Sequence, residues 1–338
     1  MSPVPPLTRR HLFGLATGLG ATAALAACGS GPEVRNDAAQ PIDATNVKKN
    51  IRTCVYATNH ASSPLYWQQF APEGVTVDVQ IVTSSADIQT ALENGDLDFG
   101  MLGGYSTLLA HEQGGFSSKV VGMCARGGLG LVGNPESGIE TVEDLAGKTI
   151  GVPPPGQQVI VLNLLLEAAG LSLSSDTNGI PVGYADQVIA FAGGDIDAYM
   201  GSEPPATVGI VEQGGVRVGD SFSTVVGDFN TAMFASPSVL ADEPDTVRAV
   251  AEMQKQASEY LSPGGENDPA VWENLLVTQF GLSPGVYEEV LPYIGARWQF
   301  DDEREAQYRA AGDFMLSTGV ITKEPDYESL FAREYWEL

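Results

Sequence analysis

A stretch that occurs twice constrains this chain more than any other feature. Residues 86–115 read ADIQTALENGDLDFGMLGGYSTLLAHEQGG, and residues 185–215 read ADQVIAFAGGDIDAYMGSEPPATVGIVEQGG. From Ala86/Ala185 to Met101/Met200 the copies align without a gap. One inserted residue then restores the shared Glu-Gln-Gly-Gly endings to register. Each copy reads as an amphipathic helix, a Gly-Asp turn, a short apolar strand, a loop of small residues and a second helix. A strand that ends in a Gly/Ser loop opening a helix is a place where α/β sheets bind ligands. Two such units predict two similar lobes, each presenting its loop to a shared cleft. The unit is too short and too few in copies for a solenoid.

Length and charge narrow the partners. A chain of 338 residues supports two ordinary domains, and 43% apolar content belongs to a folded protein. Forty-three acids stand against 17 lysines and arginines, a formal charge of −26. A surface this acidic repels nucleic acid and anionic headgroups, which excludes a nucleic-acid role. A small anionic ligand is still compatible, because local amides and helix ends dominate inside a cleft. The three cysteines have no CxxC spacing, and one of the three histidines, His11, falls in the leader. No metal site and no cofactor are expected.

The leader is the most specific signal. Thr8-Arg9-Arg10-His11-Leu12-Phe13 resembles a twin-arginine export motif, followed by a Gly/Ala-rich apolar run through Ala24. Leu25-Ala26-Ala27-Cys28 resembles the lipobox of bacterial lipoproteins, which implies a lipid on Cys28 as the first mature residue. The apolar run is short for a membrane-crossing helix. Residues 1–27 are thus expected to be a signal peptide, and the polar residues 28–50 a tether between lipid and domain.

The first lobe, expected over 51–130 and 226–338, opens with Ile51–Ala57, a β-rich run. Ser63-Pro64 reads as a helix start, so Asn59 and His60 fall on a strand-to-helix loop. They are candidates for ligand contact, with a solvated loop histidine as the plainer alternative. Val75–Val82 alternates as a strand, and Thr83-Ser84-Ser85 caps the helix that follows. Ser84 and Ser85, with the backbone amides there, suit a carboxylate, sulfonate or nitrate, although Ser85 alone accounts for ordinary capping. Gly104 and Tyr105 end the first repeated strand, Tyr105 either over a ligand or in the core.

Gly128, Gly130 and Gly133 satisfy GxGxxG, but Asn134-Pro135 follows instead of a helix, so a dinucleotide site is rejected. A Gly-rich extended run reads better as a hinge strand. Arg126 beside it is an anion contact or, more readily, half of a structural ion pair. Cys54 and Cys124 lie on apolar strands and are expected to be buried free thiols, with a disulfide as the alternative.

Thr141–Val152, TVEDLAGKTIGV, resembles the DL-x-GK-x-(I/V)-(G/A)-V run that opens the second lobe in solute-binding proteins of ABC importers. The particular group is the nitrate/sulfonate/taurine and thiamine-precursor family, NMT1/THI5-like. The resemblance implies an α/β, two-lobed type II periplasmic-binding-protein fold with a hinge and a central ligand cleft, its second lobe spanning 131–225. The family's ligand loop is usually rich in hydroxyls; here it is Pro153-Pro154-Pro155-Gly156, with Gln157 and Gln158 as the available amides. In the second repeat, Gly201-Ser202-Glu203-Pro204-Pro205 occupies the position where relatives often carry an aromatic before an acid-Pro pair; the aromatic is absent and Glu203 remains. Glu203 suits an amine on a ligand or, equally, the start of its own helix. Val225–Phe229 reads as the strand returning to the first lobe, bringing Asn230 and Thr231 near the crossover.

The resemblance implies a lipid-anchored, extracytoplasmic receptor, expected to be a monomer, that captures a small organic solute and delivers it to an ABC permease. A sulfonate or taurine-like compound is expected first and a thiamine- or vitamin-precursor heterocycle second. An exported enzyme is the weaker alternative, because no GxSxG or HExxH motif occurs and the Cys/His-rich motif of the fungal pyrimidine-synthase relatives is missing.

Overall fold

The computed structural model describes residues 44–57 and 59–336. The leader, Cys28 and residues 28–43 of the expected tether lie outside these described residues.

The β-rich run at the start of the domain forms β1 (Asn50–Tyr56), which pairs in parallel with β2 (Thr76–Val82). Strands β3 (Phe99–Leu102) and β4 (Lys119–Gly127) follow. Next come β5 (Leu129–Gly133), β6 (Thr149–Val152), β7 (Asn178–Pro181), β8 (Ala198–Ser202) and β9 (Val216–Asp220). The last two are β10 (Phe229–Ala235) and β11 (Ile294–Ala296). One four-stranded sheet has the order β11-β4-β10-β3, and one five-stranded sheet has the order β7-β6-β8-β5-β9. The middle of the chain therefore owns one sheet outright, while the other is assembled from the segments on either side of it.

The chain crosses from one sheet to the other at Gly127-Gly128, whose φ angles of +63° and +74° suit glycine alone. It returns at residues 225–229, alongside the outward crossing, with Gly127 N–H donating to the Asp228 carbonyl at 2.7 Å. The strand expected over Val225–Phe229 in fact begins at Phe229. Residues 225–228 form a turn with Gly227 at φ +52°, and Val225 is 64% exposed.

Each sheet has helices against it because the apolar faces of both must be buried. The helix Pro244–Leu261 buries Val247, Val250, Met253 and Ala257 at helical spacing, in one cluster with Met101, Val121, Cys124 and Met233 of the four-stranded sheet. A second cluster runs from sheet to sheet, joining Met123 and Phe234 to Leu131, Ile150 and Met200.

The repeat is a structural repeat. Copy one is the helix Ser85–Glu93, Gly95 at φ +73°, β3 and the helix Gly104–Glu112. Copy two is the helix Gln187–Ala192, Gly194 at φ +75°, β8 and the helix Pro205–Val211. The aspartate just before each strand makes the same three bonds. Asp98 N–H donates to Arg52 O, its carboxylate accepts from Arg52 N–H, and its carbonyl accepts from Ser236 N–H. Asp197 N–H donates to Thr149 O, its carboxylate accepts from Thr149 N–H, and its carbonyl accepts from Asn134 N–H. Each aspartate thus ties the start of its strand to another strand, β3 to β1 and β8 to β6, and each copy supplies one strand to a large sheet.

Candidate functional site

The glycines of the rejected GxGxxG are seats for side chains. A side chain on Gly128 would overlap the His60 ring, and one on Gly130 would overlap the Arg217 guanidinium. His60 is therefore a buried residue at the crossing, 1% exposed, and the solvated-loop alternative is incorrect. Its Nδ1 lies 3.3 Å from the Glu203 carbonyl, and its Nε2 has no partner. Burial, with the Arg126 charge added, lowers its pKa to about 4, so the ring is neutral at pH 7.

Glu203 carries the helix-start role that was one of its two readings. Its carboxylate accepts from Thr207 N–H at 3.0 Å and pairs with Arg217, and the group is fully buried. Burial holds its carboxyl above the usual range, against the pull of Arg217. Arg217 also lies over the Tyr293 ring at 3.6 Å and donates to Thr207 Oγ1. Arg217 consumes the acid expected to meet a ligand amine, so that role for Glu203 is corrected.

A second constellation lies where two helices begin. Gly104 is the first residue of Gly104–Glu112, and Gln157 is the first of Gln157–Ala168. The Cβ position of Gly104 is 3.5 Å from Gln157 Oε1, and that of Gly103 is 3.7 Å from Gln157 Cβ. Gln157 is 6% exposed, yet both its amide oxygen and its amide nitrogen lack partners. Buried polar atoms are normally paired, at a cost of about 1–3 kcal/mol when they are not. Two helix starts add unsatisfied N–H groups and positive dipole ends on either side of this amide. Phe229 and Tyr308 form an aromatic wall behind Gly104, and Tyr308 OH bonds Thr107 Oγ1 at 2.7 Å.

The remaining candidates divide. Ser84, not Ser85, is the helix cap: its extended backbone (φ −138°, ψ 132°) lets Oγ accept from Ala86 N–H. Ser85 Oγ is left to bond Tyr56 OH at 2.8 Å. Burial pushes the Tyr56 phenol up, against the pull of its bond to Ser85. Tyr184, whose OH donates to Pro154 O at 3.0 Å, ties the turn after β7 to the Pro153–Gly156 loop. Asn59 serves its own loop, its Oδ1 accepting from Ala61 N–H. Tyr105 is buried in the core and is no cover for a ligand, because its ring is spent on the cluster shared with Leu102 and Leu108. Asn230 donates to Gly127 O and accepts from Thr231 Oγ1, holding the two crossings together. Gln158, the second residue of its helix, and Ser202, the last residue of β8, are half-buried. Arg217, Tyr56 and Tyr184 had no signal in the sequence beyond residue type.

The family model described as NMT1/THI5 like matches residues 68–263, more than half of the chain. A putative binding protein of Brucella abortus (strain 2308) is 26% identical over 221 residues, 61% of this chain. The match spans 63% of that relative's length. The periplasmic aliphatic sulphonate binding protein SsuA from Escherichia coli superposes with a TM-score of 0.67 at 17% identity, covering 84% of this chain and 92% of that one. The desulfurization enzyme DSZB superposes with a TM-score of 0.65 at 17% identity, covering 86% and 98%. With the fold of a periplasmic binding protein and a match over most of both sheets, the chain belongs to the NMT1/THI5-like family.

Proposed function

We propose that this protein is the solute-binding component of an ABC importer, closing two lobes, one on each large sheet, around a small organic solute. The observation that carries the reading is the buried, unpartnered Gln157 amide between two helix starts. Helix N-termini favour an anionic group such as a sulfonate, and the amide nitrogen adds a donor. The amide oxygen asks for an N–H. A taurine-like compound offers both, the anion to the helix ends and the ammonium to Oε1. Membership of the family and the likeness to a sulphonate-binding protein support the same class.

A thiamine-type heterocycle is the second reading, favoured by the Phe229 and Tyr308 rings beside Gly104. A thermal-shift panel of taurine, alkanesulfonates, nitrate and pyrimidines separates the two. One site filled at a hundredfold excess over Kd should add about 2.7 kcal/mol of stability. Gln157→Leu should abolish the shift. No shift with any member of the panel would sink the reading.

Binding without turnover is supported by the site's chemistry. The same fold in a desulfurization enzyme means that fold alone decides nothing here. Burial pushes the thiols of Cys54 and Cys124 up to about 11 and about 12, which leaves both protonated and poor nucleophiles. Export through the twin-arginine leader and anchoring by a lipid on Cys28 complete the proposal, and no described helix is long and apolar enough to cross a membrane. Cys28→Ser should release the protein from the membrane fraction.

A further inference from the structure

Three arginines, Arg126, Arg297 and Arg304, gather beside the crossing strands, and the nearby acids Asp228, Asp301 and Glu303 are all paired with Arg304. Arg304 chelates Asp228 through two bonds of 2.9 and 2.8 Å and also pairs with Glu303. Arg297 reaches the same Asp228 only at 3.7 Å. Arg126 makes no ion pair and no side-chain hydrogen bond among the described residues, so the structural ion pair expected for it is not formed. Its guanidinium carbon lies 5.9 Å from the centre of the Phe222 ring. The Nε atoms of all three arginines are buried without partners. Arg126 sits opposite Gly295 in the β4–β11 pair, and the Cβ position of Gly295 is only 2.8 Å from Arg126 Nε. The guanidinium is therefore laid across a residue with no side chain. In a chain with 43 acids and 17 lysines and arginines, an arginine such as Arg126 with no acid partner among the described residues is unusual.

We propose that Arg126, Arg297 and Arg304 form a binding site for a small oxyanion, distinct from the Gln157 constellation. Guanidinium carries five N–H donors and no acceptor, in a planar fork that matches phosphate, sulfate or carboxylate oxygens. Arg304 makes the two short bonds to Asp228, Arg297 stands off at 3.7 Å and Arg126 has no ion pair, so Arg126 and Arg297 have donors left for an added anion. Arg297 and Phe222 are partly exposed, at 26% for the arginine side chain, and give the anion a way in. Burial, with repulsion from Arg297 added, holds Arg126 below its ordinary range, and a bound anion would offset that repulsion. The site joins β4, the segment after β11 and the Asp228 turn, so an anion there ties together the two strands that cross between the sheets.

The test is a titration of the full mature chain with inorganic phosphate at constant ionic strength, made up with sodium chloride, read by calorimetry and by Tm. Saturable binding is expected, with Arg126→Gln and Arg297→Gln each weakening it by about tenfold or more. Arg297 is the milder change, and it keeps the test alive if Arg126→Gln does not fold. Gln157→Leu, which removes the proposed solute site, should keep the full phosphate response. A response to phosphate no larger than to chloride overturns the proposal. So does a response lost in Gln157→Leu and retained in both arginine variants.

Discussion

The imidazole of His60 is held against Gly128 with one nitrogen on the Glu203 carbonyl and the other unpartnered. Its folded pKa of about 4 lies below the ordinary 6.5, so the unfolded chain binds the proton more readily between those values. Stability should fall as pH drops from about 6.5 towards 4, by about 3 kcal/mol in total. Urea denaturation across that window should show the slope, and His60→Gln should flatten it; an unchanged slope would falsify the assignment. The Glu203–Arg217 pair predicts a different signature. Glu203→Gln leaves Arg217 buried without its counter-charge and should cost about 3–5 kcal/mol. The ranking of amine-bearing over amine-free ligands should not move, since Arg217 already occupies the carboxylate. A selective loss of amine-bearing ligands would restore Glu203 to the ligand's side.

Between residue and molecule lies the repeated unit. Gly95 and Gly194 both adopt left-handed backbone after their helices, a conformation that costs an L side chain about 1–2 kcal/mol. Gly95→Ala and Gly194→Ala should therefore each shift the urea midpoint by a similar amount, a symmetry that unrelated turns would not show. Ser84→Ala should cost about 1 kcal/mol as a lost cap, and Ser85→Ala less, because Ser85 only bonds Tyr56. These elements were legible in advance, since helix period, Gly-Asp turns and strand alternation are local properties. The one-residue error over which serine caps the helix arose because capping depends on the backbone angles of Ser84, which composition does not encode. In the second repeat the helix starts at a buried carboxylate, and its pairing with Arg217 is likewise not encoded in composition.

On the scale of the whole molecule, two antiparallel crossings at Gly127-Gly128 and near Asp228 join the sheets, with Asn230 clamped between them. Rotation about these crossings is the expected motion, and a bound solute favours the closed arrangement only through contacts it makes better there. Small-angle scattering should show a smaller radius of gyration with ligand than without, and Gln157→Leu should remove the difference. Retention of the change in that variant would place the solute elsewhere.

The chain's own pattern was enough for the α/β class, the duplicated unit, the Gly-rich crossing and the family resemblance, because each rests on residues close together in sequence. What meets what was decided by tertiary structure alone. Gln157 faces Gly104, Arg217 neutralises Glu203, and Arg126 is left without the acid expected for it. Periodicity reports which face of an element is buried, but the partner of a buried polar group is chosen by how segments distant in the chain approach one another. Only the folded molecule therefore distinguishes an amide available to a ligand from a carboxylate already paired.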